Sequence, residues 1–183
     1  MGKPTQEAVI MTLNVRSLLS FPNPVNEKAA RVVAGVVVAI CAAAIGFGQT
    51  WLLVPLVYGF WARALSGPSL SPLGQLATRV VAPRLGPPRL VAGPPKRFAQ
   101  AMGAGSSTVA VVLWFGFGEH TATWVVLGML GAAASAESFF GYCLGCRIFG
   151  LLMKAGLVPD DVCAACADVS LRHPELRREP VSA

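Results

Sequence analysis

The sequence predicts an all-α membrane protein, a bundle of four transmembrane helices followed by a short C-terminal helix. Of its 183 residues, 54% are hydrophobic and only 13% are charged, whereas an average soluble domain has roughly 25% charged residues. Four long stretches carry almost no charge, and Lys and Arg are confined to the two ends and the middle of the chain. A chain of this length has room for one small bundle and no second domain.

The first helix is predicted over residues 29–48, after an N-terminal segment of residues 1–25. That segment shows no evident secretory signal peptide, and Phe21-Pro-Asn-Pro is incompatible with a helix. Asn26 is a suitable N-cap for the helix that follows. Cys41, inside this helix, is expected to be a small buried hydrophobic residue.

The second helix is predicted over residues 50–65, which is short for a bilayer that needs about 20 residues. Arg63 is expected to extend its side chain to the membrane surface and so lengthen the usable span. The loop that follows, 66–97, is rich in Pro and Gly. Within it, Ser71-Pro72 is a good helix start, and residues 73–81 are expected to lie along the membrane surface.

The third and fourth helices are predicted over 98–117 and 121–154, which completes a membrane domain of residues 26–154. The fourth helix is expected to be continuous and to extend beyond the membrane. In the tail, 155–183, a Gly and a Pro near the start indicate a turn, and a short helix is predicted over about 160–171.

The distribution of Lys and Arg predicts the orientation of these helices. None occurs in the connections near 47–50 and 118–121, and all 15 lie at or beyond the opposite helix ends. Since cationic residues are retained in the cytoplasm, both termini and the middle loop are expected there. The net charge of +6 therefore reflects topology and contact with the lipid bilayer, and nucleic-acid binding is excluded.

The two predicted hairpins resemble each other in sequence. Gly46-Phe-Gly-Gln-Thr-Trp51 connects the first pair of helices, and Gly116-Phe-Gly leads to Trp124 in the second. Each hairpin begins just after an arginine, Arg31 or Arg97. A duplication would be a parallel repeat of two in–out–in hairpins, and chance similarity of a short string is the alternative.

Four of the five cysteines form two Cys-x-x-Cys pairs, Cys143/Cys146 and Cys163/Cys166. Within each pair the spacing places both thiols on one helix face, and the turn after residue 154 would bring the pairs nearly level. All four sulfur atoms are then expected to converge at the cytoplasmic membrane surface.

Three interpretations of the four cysteines remain open. One pair is a dithiol/disulfide centre and the other a resolving or relay pair, which exchange electrons through thiolate attack on a disulfide. Alternatively, the spacing matches a four-cysteine zinc site that fastens the tail to the fourth helix. In the third, they are inert packing residues. A purely structural disulfide is not expected in the reducing cytosol.

Glu137 is the one acidic residue well inside a predicted span, which makes it a functional candidate. The alternative is a structural ion pair with Arg63, Arg31 or Arg97. On a continuous helix, Glu137 would point about 180–240° away from the first cysteine pair.

Three segments resemble the bacterial membrane family catalogued as domain of unknown function 4395, which is frequent in actinobacteria. They are Lys96-Arg-Phe-Ala-Gln-Ala-Met-Gly103, Ser71-Pro-Leu and Glu137-Ser-Phe-Phe-Gly-Tyr-Cys-Leu-Gly-Cys146. The resemblance covers about residues 25–155 and implies a four-helix protein of the bacterial inner (plasma) membrane. The family has no settled activity, and its association with thiol and sulfur-transfer proteins favours redox chemistry. Only the Cys-Leu-Gly-Cys pair carries over by motif.

These observations lead to the hypothesis of a membrane-embedded thiol/disulfide redox or sulfur-handling protein with a site at the cytoplasmic face. Its partner would be a soluble thioredoxin-like or rhodanese-like protein. A lipid-soluble quinone would be the other redox partner, as in four-helix membrane thiol oxidases, which the chain resembles only in plan. The alternative is a non-enzymatic membrane scaffold or small transporter subunit with a structural zinc site.

Overall fold

The computed structural model describes residues 21–158, and this part of the chain is mostly helical. Among the described residues, three helices are long and apolar enough to cross a membrane, each at least 21 residues long. A further helix has 14 residues, or about 21 Å at ~1.5 Å per residue. These long elements are α1 (Glu27–Phe47), α2 (Leu53–Ser66), α5 (Gly93–Val111, continued by a π-helical segment, Val112–Phe117) and α6 (His120–Phe140).

The predicted middle loop contains short elements that fasten it to the bundle. They are α3 (Pro72–Leu76), a π-helical segment (Ala77–Val81), α4 (Ala82–Arg84) and strand β2 (Leu90–Val91), which pairs antiparallel with β1 (Val25–Asn26). The predicted helix start at Ser71 is confirmed, because its hydroxyl accepts a hydrogen bond from the Gly74 N–H. An ion pair between Arg89 and Glu27, 3.0 Å apart, also ties the loop to α1.

The helix boundaries follow local capping signals. The Asn26 side chain accepts a hydrogen bond from the Lys28 N–H at 3.0 Å, which confirms the predicted start of α1. Gly48 and Gly118 both have left-handed backbone angles, with φ of 64° and 68°. They follow Phe47 and Phe117, so the two similar Gly-Phe-Gly strings end their helices in the same way.

The helices pack in antiparallel pairs, α1 along α6 and α2 along α5, and α5 also contacts α6. We name the two ends of the bundle by their contents. The turn end has the short connections at 48–52 and 118–119. The cysteine end has the first turns of α1 and α5, the last turns of α2 and α6, and the Cys-Leu-Gly-Cys segment. Few contacts join α1 to α2.

Small residues face the interior of the bundle. Gly35 approaches Ser138 and Gly131 approaches the buried Cys41, while Gly103 packs directly against the ring of Phe60. Such residues let helices approach closely in lipid. Large apolar side chains instead face outward; among the most exposed are Phe47, Trp51, Val54, Tyr58, Phe115, Phe117, Val125, Met129, Phe139 and Phe140.

Two arginines that precede the similar segments make equivalent contacts at the cysteine end. Arg31 of α1 donates hydrogen bonds to the carbonyls of Ser138 and Phe139 in the last turn of α6. Arg97 of α5 donates to the carbonyl of Ala64 in the last turn of α2. Both cations thus satisfy carbonyls at a helix C-terminus, where a positive charge is favourable.

Two expectations about the second and fourth helices are wrong. The helix predicted over 121–154 is divided, because α6 ends at Phe140 and a separate helix begins at Leu144. Arg63 does not extend to the membrane surface; its side chain turns inward and the residue is only 6% exposed. There it donates to the Gln100 side chain at 2.9 Å and lies over the Phe60 ring, contacts that compensate for lost hydration.

The contact between Gly103 and Phe60 leads to a prediction about stability. A Cβ atom at Gly103 would overlap the Phe60 ring, so Gly103→Ala should lower the free energy of unfolding by about 1–3 kcal/mol. Gly105→Ala on the same helix is the matched control, because a Cβ there meets nothing within 4 Å. Unfolding in detergent micelles, followed by circular dichroism, measures both. Equal stabilities of the two variants would contradict the packing described for α2 and α5.

Candidate functional site

The break before the first cysteine pair comes from a glycine cap. Gly141 has φ of 67°, and its N–H donates to the Glu137 carbonyl while the Tyr142 N–H donates to the Ala136 carbonyl. The first of these bonds is that of the αL C-cap motif, which ends a helix with a left-handed residue. The chain then turns, and Cys143 adopts the extended conformation that precedes a new helix.

Cys143 is the N-cap of that helix, α7 (Leu144–Lys154). Its sulfur accepts a hydrogen bond from the Cys146 backbone N–H at 3.3 Å, as an N-cap side chain does. The Cys146 thiol also lies against the Cys143 sulfur and donates to it. Both cysteines are free, and Cys143 is buried whereas Cys146 is half-buried.

Gly145, between the two cysteines, allows α7 to lie directly on α5. A Cβ atom at this position would come within 2.6 Å of the Cα atom of Ala99, so only glycine permits this approach. The rings of Phe98 and Phe149, 5.6 Å apart, extend the same contact. The Leu-Gly sequence inside the motif therefore positions both thiols against the first turns of α5.

A buried ion pair lies next to the two thiols. The Lys96 ammonium is 2.5 Å from a carboxylate oxygen of Glu137, and both side chains are at least 85% buried, with relative exposures of 8% and 15%. The pair connects the first turn of α5 to the last turn of α6. A charge removed from water needs such a partner.

The two thiols have opposite pKa shifts. Hydrogen bonding from the Cys146 thiol lowers the pKa of Cys143 below its ordinary value, and the positive charge of Lys96 acts in the same direction. Burial and the Glu137 carboxylate oppose these effects. The same thiol–thiol contact raises the pKa of Cys146. Cys143 therefore has the lower pKa of the pair.

The expectations for Glu137 need two corrections. Its ion-pair partner is Lys96 and not Arg63, Arg31 or Arg97. The predicted angle between Glu137 and the first cysteine pair was also wrong, because it assumed a continuous helix. The turn at Gly141 folds the chain back, so Glu137 and Cys143 line the same cavity.

Sequence reasoning missed Lys96, which it placed in a cytoplasmic loop. One feature of the sequence could have placed Lys96 in a helix. Prolines at positions 94 and 95 follow Gly93, and proline is favoured in the first turn of a helix. That start, five residues earlier than predicted, places Lys96 in the first turn of α5.

A polar cluster continues from the ion pair into the bundle. Arg63 donates to Gln100, and both residues line two adjoining cavities of about 410 and 250 Å³. Cys143 and Glu137 line the larger one. The cluster thus joins α2, α5 and α6 beside the turn between Gly141 and Cys143.

Cys163 and Cys166 lie outside the described residues, so their predicted convergence with Cys143 and Cys146 stays a prediction. Within residues 21–158, no group of three or more His, Cys, Asp or Glu side chains is arranged to bind a metal ion. A four-cysteine zinc site would also need the two cysteines of the tail.

The influence of Lys96 on Cys143 can be measured. Lys96→Met removes a charge that stabilises the thiolate, so the pKa of Cys143 should rise and its alkylation by iodoacetamide should require higher pH. Lys154→Met, at an exposed position on α7, is the matched control and should leave the pH profile unchanged. Peptide mass spectrometry follows the Cys143 reaction separately.

A double variant controls for the loss of structure that Lys96→Met alone could cause. Lys96→Met alone leaves a buried carboxylate without its partner, which typically costs about 3–5 kcal/mol. In Lys96→Met/Glu137→Gln both charges are absent, and the pH midpoint should lie below that of Lys96→Met and no higher than that of the original protein, since Glu137 raises the pKa of Cys143 more than Lys96 lowers it. An unshifted midpoint in folded Lys96→Met would show that the ammonium does not act on Cys143.

Comparison with known proteins identifies the family to which this chain belongs. A family model described as Domain of unknown function (DUF4395) matches residues 25–154. Comparisons with curated proteins and with solved structures gave no match. The matched region runs from β1 to the last residue of α7, so it includes the bundle and the first cysteine pair and stops before the second. This chain belongs to the DUF4395 family.

Proposed function

We propose that this protein is a membrane-embedded thiol–disulfide exchange protein that acts on a soluble thioredoxin-like or rhodanese-like partner at the cytoplasmic face. The observation that carries the proposal is the asymmetry of the Cys143/Cys146 pair. One thiol is buried, accepts hydrogen bonds and is close to a lysine, while the other is half-buried and has the higher pKa. Exchange proceeds fastest when the departing sulfur has the lower pKa.

This asymmetry assigns a role to each cysteine. In the oxidised protein, a thiolate of the partner attacks the accessible Cys146 sulfur, the Cys143–Cys146 bond breaks, and Cys143 leaves as a stabilised thiolate. The partner's second thiolate then attacks the partner sulfur of the mixed disulfide. Cys146 departs and takes up a proton, so two electrons have moved from the partner dithiol to this protein.

The membrane topology is part of the proposal. We infer four spans, with α2 as the short one, because Val54, Tyr58, Trp61 and Leu65 form an exposed apolar stripe along it. Every Lys and Arg in residues 21–158 lies toward the cysteine end, which favours a cytoplasmic location for that end and for both termini. The protein would then reside in the bacterial inner membrane.

The internal repeat belongs to the same inference. A two-fold axis along the membrane normal would exchange α1 with α5 and α2 with α6. It would also exchange the α1–α6 contact with the α2–α5 contact, and Arg31 with Arg97. Two in–out–in hairpins related in this way form a parallel repeat. The second cysteine pair, Cys163/Cys166, would act as a relay on the cytoplasmic side.

Trapping of mixed disulfides tests the assigned roles. In Cys143→Ser the sulfur that resolves or leaves is absent, so Cys146 should displace thionitrobenzoate from a single-cysteine thioredoxin that carries it, and the mixed disulfide should persist because each protein lacks the cysteine that would resolve it. In Cys146→Ser the remaining thiol is buried, and far less adduct should form. Cys41→Ser is the control, because Cys41 lies within α1 and only 2% of it is exposed. Predominant trapping through Cys143 would reverse the proposed roles.

The intact mass of the protein, purified without reductant or chelator, tests the proposal as a whole. A reversible loss of two hydrogens that requires Cys143 and Cys146 is expected for an exchange protein. A zinc-sized increment that disappears in Cys143→Ser or Cys163→Ser would instead support a scaffold or transporter subunit with a structural metal. Labelling of Cys143 by an impermeant maleimide from outside intact cells would contradict the proposed orientation.

A further inference from the structure

The larger cavity connects the redox cysteine to the interior of the membrane domain. It has a volume of about 410 Å³ and extends from Cys143 and Glu137 to Val109 and Val126, which lie toward the turn end of α5 and α6. Its walls are mostly apolar, and sites for small molecules typically measure ~300–1,000 Å³. The cavity therefore has the size and lining of a site for one apolar ligand beside a thiol.

Side chains at the rim show where the cavity opens. Met102 and Val109 of α5 and Met129 of α6 line it, and they are 37%, 50% and 70% exposed. These residues belong to two helices long and apolar enough to span a membrane. The mouth between α5 and α6 thus lies on the apolar outer surface, where a ligand would enter from lipid.

The deep end of the cavity is polar. Arg63 and Gln100 line it and are hydrogen-bonded to each other, and Arg63 is only 6% exposed. Arg63 makes no salt bridge within residues 21–158. A guanidinium and an amide both offer N–H donors, so this end suits a ligand with acceptor oxygens.

We propose that this cavity binds a lipid-soluble quinone, which accepts the two electrons that Cys143 and Cys146 receive. The inference rests on the thiol exchange proposed above and adds its second substrate. A molecule that enters from lipid, offers carbonyl oxygens to Arg63 and Gln100 and takes up two electrons with two protons has the chemistry of a quinone. The cysteine pair would then connect a soluble dithiol to the membrane pool.

Arg63 suits a ligand whose acceptor oxygens gain negative charge during the reaction. Its guanidinium lines the cavity, donates to Gln100 and makes no salt bridge within residues 21–158. As electrons leave the sulfurs, this cation stabilises negative charge developing on the quinone oxygens. Lys96 is already paired with Glu137 and lines the smaller cavity.

The reaction balances with the groups named. The Cys143 thiolate and the Cys146 thiol lose two electrons, and the bond that forms is the Cys143–Cys146 disulfide. The quinone takes these electrons, the proton released by Cys146 and one further proton from water, and leaves as hydroquinone. No other oxidant is required.

A blocked cavity tests the inference. The full-length protein is reduced, freed of reductant in detergent and mixed with a decyl-substituted benzoquinone. Absorbance follows hydroquinone, and mass spectrometry follows the disulfide. Ala133→Trp fills the cavity, which Ala133 lines, whereas Ala132→Trp on the exposed neighbouring position is the matched control. The first variant should slow quinone reduction by about tenfold or more because it separates the reacting atoms, and the second should not.

Exchange of each variant with a soluble disulfide separates the possible failures. The expected result is normal exchange in both variants and slow quinone reduction only in Ala133→Trp. Equal quinone reduction in the two variants, or none in the original protein, with exchange intact would overturn the quinone site and leave the proposed function standing. Absence of exchange in the original protein would overturn both. A phospholipid that copurifies, is absent from Ala133→Trp and resists displacement by quinone would show that lipid occupies the cavity.

Discussion

The buried ion pair between Lys96 and Glu137 is the interaction on which the cysteine end depends. Both charged side chains are largely buried, and each would be costly alone. Their contact at 2.5 Å joins the first turn of α5 to the last turn of α6. The turn that leads to Cys143 follows α6 directly, and α7 packs back onto α5. The ion pair therefore fixes the relative position of the helices that hold both thiols. The same lysine provides positive charge beside Cys143.

The end of α6 at Gly141 changes the hydrogen bonding of the first cysteine pair. In a continuous helix, the two cysteines would share a face and would have their N–H groups occupied by helical hydrogen bonds. The break makes Cys143 an N-cap instead, so its sulfur receives a backbone N–H at the positive end of a new helix. Arg31, which donates to the last carbonyls of α6, stabilises the same break from α1.

The distribution of side chains places the first cysteine pair between an apolar environment and a polar one. Small residues face inward and large apolar ones face outward, as suits helices in lipid. Cations gather toward the cysteine end, where water and a soluble partner would be. Cys146 is half-buried at this end, while Cys143 faces a cavity with an apolar mouth. A pair that lies between the two environments is suited to pass electrons from one to the other.

The sequence by itself determined the helical class, the three longest apolar helices and the caps at Asn26 and Ser71, because these follow from local composition and spacing. It also marked Cys143 and Cys146 as candidates through their Cys-x-x-Cys spacing. Only the tertiary structure decided the partner of Glu137, the inward turn of Arg63 and the division of the last helix. Periodicity describes a helix that continues and cannot by itself reveal a break. The choice of Lys96 over three arginines depends on which helices become neighbours, and that is settled by packing between segments far apart in the chain.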